Sequence, residues 1–481
     1  MTKAHPHHII ESGSTKVTKE AQMNQYNTKN PIRFFLKKHP ECTAALLFAF
    51  IGCIAMPRVT LGAEQLAHKR INLEDSLILA LENDSEWNVI QKQTLANKEI
   101  LAQSRAQLRP SINAYADTAK NRINYAGAPT EASNSHSATL QLTQPLIALD
   151  KWFKFKQAQK QYNQLDSQQI SKQMNLIVRV SEAYFLVLKA KRNLDFAEAE
   201  NKSLEKQLEQ AEQRFKVGLT AVTDMHEARA ARDLSQVGLI VAENDVDIFL
   251  EQLSTLCGQS IHEIMEFSES FEAKLPLNNA SWWTEYALKN SPEMKAQAFA
   301  VEGSRFAKKS AKSAHLPTIS VESSYSQSTG YFNGFSQPDT DTTKIGLQLN
   351  IPIYQGGGTA SVVREAQYQY LASLDQLEAS RRIITQNVRN LYRSIAADKE
   401  RIMARKQSIQ SAQSALDATQ AGYQVGTRNI VDVVSAQRTL LGAKKDYAHT
   451  RYDFVLNTLK LQEAAGLLSI KEITAVNQHL K

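Results

Sequence analysis

The chain has 481 residues, and 42% of them are hydrophobic, which excludes a disordered chain and leaves room for two or three domains or one elongated one. The formal net charge is +7, but residues 1–63 alone hold eight Lys/Arg against three Asp/Glu. Because much of the positive charge lies in this N-terminal segment, the composition does not indicate a nucleic-acid-binding face.

Residues 1–63 are predicted to be an N-terminal extension followed by a secretory signal peptide. Basic residues precede an apolar run at 43–56, and a small-residue site ends at Ala63, an order typical of export signals. The apolar run is too short to span a membrane comfortably. Attachment of a lipid at Cys53 is the alternative to cleavage after Ala63. The start of translation is open between two methionines, Met1 and Met23.

The rest of the chain repeats itself at a spacing of about 207 residues, which predicts an internal duplication. Matching residues keep their order along the chain: Asn83 and Asn290, Pro110 and Pro317, Leu140 and Leu347, Pro145 and Pro352, Gly218 and Gly426, Asp224 and Asp432. We therefore predict a first repeat at 64–275, a second repeat at 276–470 and a C-terminal tail at 471–481.

Both repeats contain the same predicted elements in the same order: a helical stretch, two strands separated by a polar loop, and long helices. In the first repeat we predict helix over about 73–108, strands over about 111–121 and 137–145, and helices over about 149–256. In the second repeat we predict helix over about 280–315, strands over about 318–331 and 342–352, and helices over about 359–465. This pattern indicates the α+β class.

The first long helix, Leu149–Val217, contains neither Gly nor Pro and would span about 100 Å at 1.5 Å per residue. Its counterpart is Thr359–Gln424. Apolar residues recur at spacings of three and four in both helices, which predicts a seam for packing against neighbouring helices. A secreted or periplasmic coiled-coil rod, structural or adhesive, explains these helices equally well.

The predicted strands argue against a simple rod. In Lys344–Ile351 apolar and polar residues alternate, which suits a barrel wall between lipid and water as well as a half-buried soluble sheet. Four strands cannot close a barrel around water, and lipid does not tolerate open sheet edges. If the sheet lies in a membrane, several chains must contribute to it.

Four motifs together resemble the TolC family of outer-membrane efflux proteins. They are LQLTQ at 140–144, QRFKVGL at 213–219, LNIPIYQGG at 349–357 and AGYQVGTRNIVDV at 421–433. The resemblance covers about 66–470 and is nearer to the branch of the family that carries no lipid.

This resemblance implies a homotrimer with one twelve-stranded outer-membrane β-barrel that continues into a periplasmic α-helical barrel. It implies a passive channel in tripartite efflux or type I secretion systems, which exports drugs or proteins. The partners would be a periplasmic adaptor protein, an inner-membrane pump of the RND or ABC type, and outer-membrane lipid. The location would be the outer membrane of a Gram-negative bacterium, extending into the periplasm.

The resemblance also implies a gate at the periplasmic end, near the helix-turn corners at Gly218 and Gly426. Residues of a closing latch would be Gln207, Thr223, Asp224, Tyr423 and Arg428. Asp432 resembles a family residue that lines the pore mouth, where three copies would form an acidic ring. The family's second acidic position, three residues further on, is Ser435, so the ring should be less negative.

The sequence gives no sign of an enzyme. The histidines show no metal-ligand spacing, and the glycines at 356–358 lack the Gly-Lys-Ser/Thr of a phosphate loop. We therefore expect no catalytic residues, no metal and no cofactor. The choice between drugs and proteins as cargo, and the identity of the pump, stay open.

Overall fold

The structure, a computed structural model, describes residues 70–124, 127, 131–268, 271–332 and 335–481. The predicted signal peptide, its cleavage site, the alternative lipid site at Cys53 and the two candidate start sites lie outside these residues.

The described chain alternates helices and strands in two similar halves. The first half contains α1 (Leu73–Asn83), α2 (Ser85–Ala106), β1 (Ser111–Ile123), β2 (Glu131–Ile147), α3 (Leu149–Lys216) and α4 (Val222–Cys257). The second half contains α5 (Ala280–Asn290), α6 (Pro292–Ser313), β3 (Thr318–Phe332), β4 (Phe335–Asn350), α7 (Gly358–Gln424), α8 (Ile430–Ala465) and α9 (Ile470–Asn477). Within the described ranges, no helix is both long enough and apolar enough to cross a membrane.

Each helical stretch that precedes the strands is two helices, not the single helix expected over 73–108 or 280–315. In the first repeat the chain leaves the helix at Asp84, whose buried carboxylate accepts from the Trp87 amide at 2.6 Å and pairs with Arg179 at 3.1 Å. In the second repeat the break falls at Ser291, because a residue before proline disfavours the helical conformation. An N-cap in the first repeat and a proline in the second therefore produce equivalent corners between two helices.

The four strands form one antiparallel sheet in the order β1-β2-β3-β4, so the pairing of β2 with β3 joins the two repeats. The register places alternate residues of all four strands on the same face. One face carries a mainly apolar set: Ile112, Leu140, Leu142, Val321, Tyr325, Ile345 and Leu347. The other face carries a polar set: Asn113, Gln141, Ser324 and Lys344. In a single chain Ile345 is 78% exposed and Leu347 is 73% exposed, so this apolar face needs lipid or another protein against it.

The strands differ in length from the predicted stretches. β2 begins at Glu131 and β4 at Phe335, well before the expected starts at 137 and 342. Both of these ends lack the apolar alternation that marks a strand in a sequence. β2 also passes Pro145, because the register shifts between Pro145 and Ile147 and a bulge can accommodate a proline.

The main hydrophobic core surrounds the middle of α3, where Tyr184 and Phe185 are fully buried. The Tyr184 hydroxyl lies 2.9 Å from the carbonyl oxygen of Met265 and 3.2 Å from that of Ile71. Burial raises the pKa of Tyr184, since the charged phenolate would lose its hydration. Phe185 also packs against the ring of Tyr452 on α8, with centroids 5.7 Å apart, so this core ties α8 to α3.

The stretch predicted as a C-terminal tail, 471–481, contains most of α9 and a short pairing with the segment after α4. The Glu266 amide donates to the Lys481 carbonyl at 2.9 Å, and the Lys481 amide donates to the Glu266 carbonyl at 2.8 Å. Ile71 joins the other side of the same segment through its amide, which donates to the Glu263 carbonyl at 3.1 Å. The C-terminal residues therefore brace the middle of the long helices.

Glu463 on α8 faces α3, where the Asn175 amide donates to its carboxylate at 3.4 Å. Burial raises the pKa of Glu463, and the nearby charges of Glu182 and Glu293 raise it further, while the Asn175 hydrogen bond and Lys460 oppose the shift. The folded protein therefore holds this proton more tightly than the unfolded chain does. Stability that is present below the ordinary glutamate pKa is lost as the pH rises through the raised pKa.

We expect Glu463→Gln to raise the melting temperature at neutral pH and to flatten its dependence on pH above the ordinary glutamate pKa. The amide keeps the shape of the side chain and has no charge to desolvate. The measurement is thermal unfolding of the detergent-solubilised protein from about pH 5 to about pH 8. Glu400→Gln, at an exposed position on α7, is the matched control; equal effects of the two variants would contradict the prediction.

Candidate gate at the helix turns

The two long-helix hairpins turn through the same backbone motif at Gly218 and Gly426. Both glycines have left-handed backbone, with φ of 75° and 80°. The Gly218 amide donates to the Phe215 carbonyl at 2.9 Å, and the Leu219 amide donates to the Arg214 carbonyl at 2.8 Å. This pair of bonds is the Schellman motif, and a side chain at the glycine would strain it.

The second turn repeats these bonds and adds a close approach at Gly422. The Gly426 amide donates to the Tyr423 carbonyl at 3.2 Å, and the Thr427 amide donates to the Gly422 carbonyl at 2.9 Å. A Cβ atom at Gly422 would lie 2.8 Å from Cγ of Arg428. Gly422 therefore lets the Arg428 side chain fold back over the end of α7, a role that the sequence did not reveal.

Asp432 stabilises the start of α8. The Asp432 amide donates to Oδ1 of Asn429 at 2.8 Å, and the Asn429 amide donates to the Asp432 carboxylate at 3.4 Å, which makes a capping box. The Arg428 guanidinium lies 3.8 Å from the same carboxylate, and the Arg428 side chain is 62% exposed. Asp432 is thus a helix cap in one chain, and the Asn-x-x-Asp pattern could have identified it.

At the other corner, Asp224 accepts a hydrogen bond from the Thr220 hydroxyl, and Thr223 is exposed. Among the described residues, no hydrogen bond or ion pair joins Thr223 or Asp224 to Tyr423 or Arg428. The two halves of the predicted latch therefore have separate partners within a single chain.

Tyr423 and Gln207 line the same cleft, which has a volume of about 830 Å³ and lies between α3 and the α7–α8 hairpin. The Arg214 guanidinium lies over the Tyr423 ring, 4.8 Å from its centroid. The Gln207 side chain is 7% exposed, and its Oε1 has no hydrogen-bond partner within the described structure. A buried acceptor without a donor costs free energy, so a donor from water or from another chain at this cleft would stabilise Gln207.

Ser435 lies one turn after Asp432 on α8 and is exposed. If three copies place Asp432 around a pore, as the family resemblance implies, Ser435→Asp adds a second ring of carboxylates and should make block of that pore by a trivalent cation several-fold stronger. Asp432→Asn should weaken that block. The measurement is the concentration of cation that halves the current in a planar bilayer. Ser435→Asn is the neutral control, and equal block of the Asp and Asn variants would refute the acidic ring.

Comparison with known proteins identifies a family. The sequence profile described as outer membrane efflux protein matches residues 79–259 and 283–467. Outer membrane protein TolC of Vibrio cholerae serotype O1 is 35% identical over 414 residues, 85% of this chain and 94% of that protein. The alkaline protease secretion protein AprF of Pseudomonas aeruginosa is 26% identical over 418 residues, 84% of this chain and 86% of that protein. The crystal structure of the Campylobacter jejuni CmeC outer membrane channel has a TM-score of 0.73 and 15% identity, and the match covers 89% of this chain and 98% of that one.

These matches confirm the resemblance to the TolC family that the four sequence motifs indicated. They also confirm the TolC-like fold. They give no support to the alternative of a coiled-coil rod or adhesin, since the relatives are named as outer-membrane and secretion proteins. The chain therefore belongs to the outer membrane efflux protein family, as a channel protein of the Gram-negative outer membrane that extends into the periplasm.

Proposed function

We propose that the chain is one protomer of a passive export duct, in which three copies close a single twelve-stranded barrel. The observation that carries this proposal is the sheet of one chain. Its apolar face is exposed, and among the described residues no further strand pairs with the outer edges of β1 and β4. Four strands are too few to surround water, and lipid does not tolerate unpaired edges. Three copies supply twelve strands and pair every edge.

The long helices continue this barrel into the periplasm. α3 has 68 residues and α7 has 67, so each spans about 100 Å. α3 packs against α4 and α8, and α7 packs against α8, so each chain supplies a curved wall of helices. Three such walls make a helical tube that has no catalytic site and needs no cofactor.

The duct receives its cargo from an inner-membrane pump of the RND or ABC type through a periplasmic adaptor. Relatives support both drugs and proteins as cargo. The family is described as outer membrane efflux proteins, and AprF is named for secretion of an alkaline protease. Export across the inner membrane needs a signal, which we assign to residues 1–63 with cleavage after Ala63. The exported chain then comprises the two repeats, 64–275 and 276–470, and the segment 471–481.

A latch between neighbouring copies keeps the periplasmic end closed. We assign it to Tyr423 and Arg428 on one side and to Thr223 and Asp224 on the other, with Gln207 beside Tyr423. The exposure of Arg428 and its 3.8 Å separation from Asp432 support this assignment, because a loosely held guanidinium can change partners at little cost. The glycine turns at Gly218 and Gly426 fix where the hairpins end.

Deleting the gene tests the function. We expect the deletion strain to become more sensitive to drugs, to lose secreted proteins from the medium, or both, and a plasmid copy to restore each phenotype. The mass of the purified protein in detergent, measured by light scattering, tests the trimer separately. An unchanged drug sensitivity together with an unchanged set of secreted proteins would refute the export function, and a monomeric mass would refute the duct.

A further inference from the structure

A basic band borders the sheet on its helical side. It consists of the last turns of α2 with the linker to β1 (98–110), the first turns of α3 (148–160) and the last turns of α6 with the linker to β3 (302–316). Together these three stretches hold eleven Lys/Arg against three Asp/Glu. We call them the collar. The rest of residues 64–481 holds 37 Lys/Arg against 43 Asp/Glu.

Aromatic rings lie between the cations of the collar. The Lys156 ammonium lies 5.3 Å from the ring centroid of Trp152 and 5.9 Å from that of Phe155. The Arg105 guanidinium reaches the same Phe155 ring from α2, at 5.9 Å. Trp152 is 46% exposed, Arg105 is exposed and Lys156 is half-buried, so this group presents a ring and a cation at the surface with a second cation beside them.

A second group of the same kind lies on α6. The Lys309 ammonium is 5.4 Å from the ring centroid of Phe306 and 5.7 Å from that of Phe153 on α3. Lys309 and Arg105 are exposed, and among the described residues neither they nor Lys156 forms a salt bridge. In contrast, Lys160, further from the sheet, pairs with Glu302 at 2.5 Å. Arg105, Lys156 and Lys309 are therefore available to an external anion.

In the membrane barrel proposed above, the collar begins at the edge of the hydrocarbon layer and continues past the lipid headgroups. The apolar parts of the strands end where the helices begin, with Ile112 64% exposed and Ile351 53% exposed. Lys156 is seven residues into α3 and thus about 10 Å beyond its start, while Lys309 is four residues, about 6 Å, before the end of α6. The headgroup region extends about 5–8 Å beyond the hydrocarbon on each side of a bilayer. Lys309 therefore lies within this region, whereas Lys156 lies just beyond it and its flexible side chain can reach back into it.

We propose that the collar binds the anionic headgroups of phospholipids in the periplasmic leaflet of the outer membrane, with phosphatidylglycerol as the simplest example. Lysine and arginine attract the phosphate, and the neighbouring rings occupy the boundary between headgroup and acyl chain, where tryptophan is favoured. The exposed ring of Trp152 favours a lipid over a free phosphate ion, which has no apolar part to cover it. This inference rests on the proposed membrane barrel, since the collar meets lipid only if the sheet is embedded in the outer membrane.

Trp152 provides a local probe of the lipid beside the collar. The full-length protein is reconstituted into phosphatidylcholine vesicles that contain brominated phosphatidylglycerol, and separately into vesicles in which the phosphatidylcholine is brominated. The difference between the wild-type protein and Trp152→Phe isolates the quenching of Trp152. We expect phosphatidylglycerol to quench Trp152 well beyond its share of the lipid.

The double variant Lys156→Gln/Lys309→Gln should reduce this preference about tenfold or more, since each cation near a membrane surface adds several-fold in affinity. Lys202→Gln/Lys406→Gln, at exposed sites far along α3 and α7, removes the same charge and should leave the preference intact. Channel conductance of each variant reports on assembly. Equal preference in the two double variants, with normal conductance, would overturn the collar proposal, whereas a wild-type protein that neither assembles nor conducts would overturn the duct.

Discussion

Replacing Gly466 with alanine is expected to destabilise the folded protein by about 2–4 kcal/mol. Gly466 ends α8 in the left-handed conformation, with φ of 75°. A Cβ atom there would lie 2.8 Å from Cδ of Pro292 and 3.1 Å from the carbonyl oxygen of Asn290. Both neighbours are held at the α5–α6 corner, so neither can move away freely.

Gly442 is the matched control, because it lies within the same helix and a Cβ atom there would meet nothing within 4 Å. Gly442→Ala should leave stability unchanged or raise it by up to about 1 kcal/mol, since alanine favours the helix. The measurement is thermal unfolding of each detergent-solubilised variant, followed by circular dichroism. Equal melting temperatures for the two variants would show that the corner at Pro292 adapts to the added methyl group.

The duplication explains why Gly466 was predictable in principle. Gly258 ends α4 in the same left-handed conformation, and a Cβ atom there would lie 2.5 Å from Cβ of Asn83. Asn83 and Asn290 were matched by the sequence repeat, but the glycines that pack against them were not. A glycine after a helix signals a cap, whereas its contact with a corner from another part of the chain is a tertiary fact that no local pattern contains.

The long helices followed from the sequence because their seam repeats over many turns, and α3 and α7 end within one residue of the predicted bounds. The break at Asp84 was missed for a different reason. Its carboxylate caps α2 at the Trp87 amide and is also held by Arg179, 95 residues away in sequence, and no local pattern contains the second contact. At Ser291 the following proline was a sufficient local signal, and applying it would have divided that helix correctly.

The structure of one chain explains only part of the candidate gate. The turns and the cap at Asp432 follow from local patterns, since glycine and Asn-x-x-Asp act on their own neighbours in sequence. The contacts between the two halves of the predicted latch do not follow from such local patterns. Asp224 bonds to Thr220 and Arg428 lies near Asp432, so the contacts that would close a pore require copies of the chain that meet around an axis.

Replacing both Tyr423 and Arg428, as Tyr423→Ala/Arg428→Gln, is expected to raise the single-channel conductance of the proposed trimer in planar bilayers several-fold. The substitutions remove the phenol and the charge that we assign to the closed state. If each protomer loses about 1.4 kcal/mol of closing energy, its closed-to-open ratio falls about tenfold, and three protomers multiply that factor. Each single variant should give an intermediate conductance.

The control is Tyr368→Ala/Arg382→Gln, which makes the same chemical changes at exposed positions higher on α7. It should leave the conductance at the wild-type level, because these residues lie far from the turns. A cysteine pair at Asp224 and Arg428 tests the contact itself: under oxidation it should link neighbouring copies and hold the channel at low conductance until a reductant is added. If the pair links and the conductance does not fall, or if the double variant conducts like the wild type, then the closed state depends on other contacts, and the cleft between Gln207 and Tyr423 is the next place to examine.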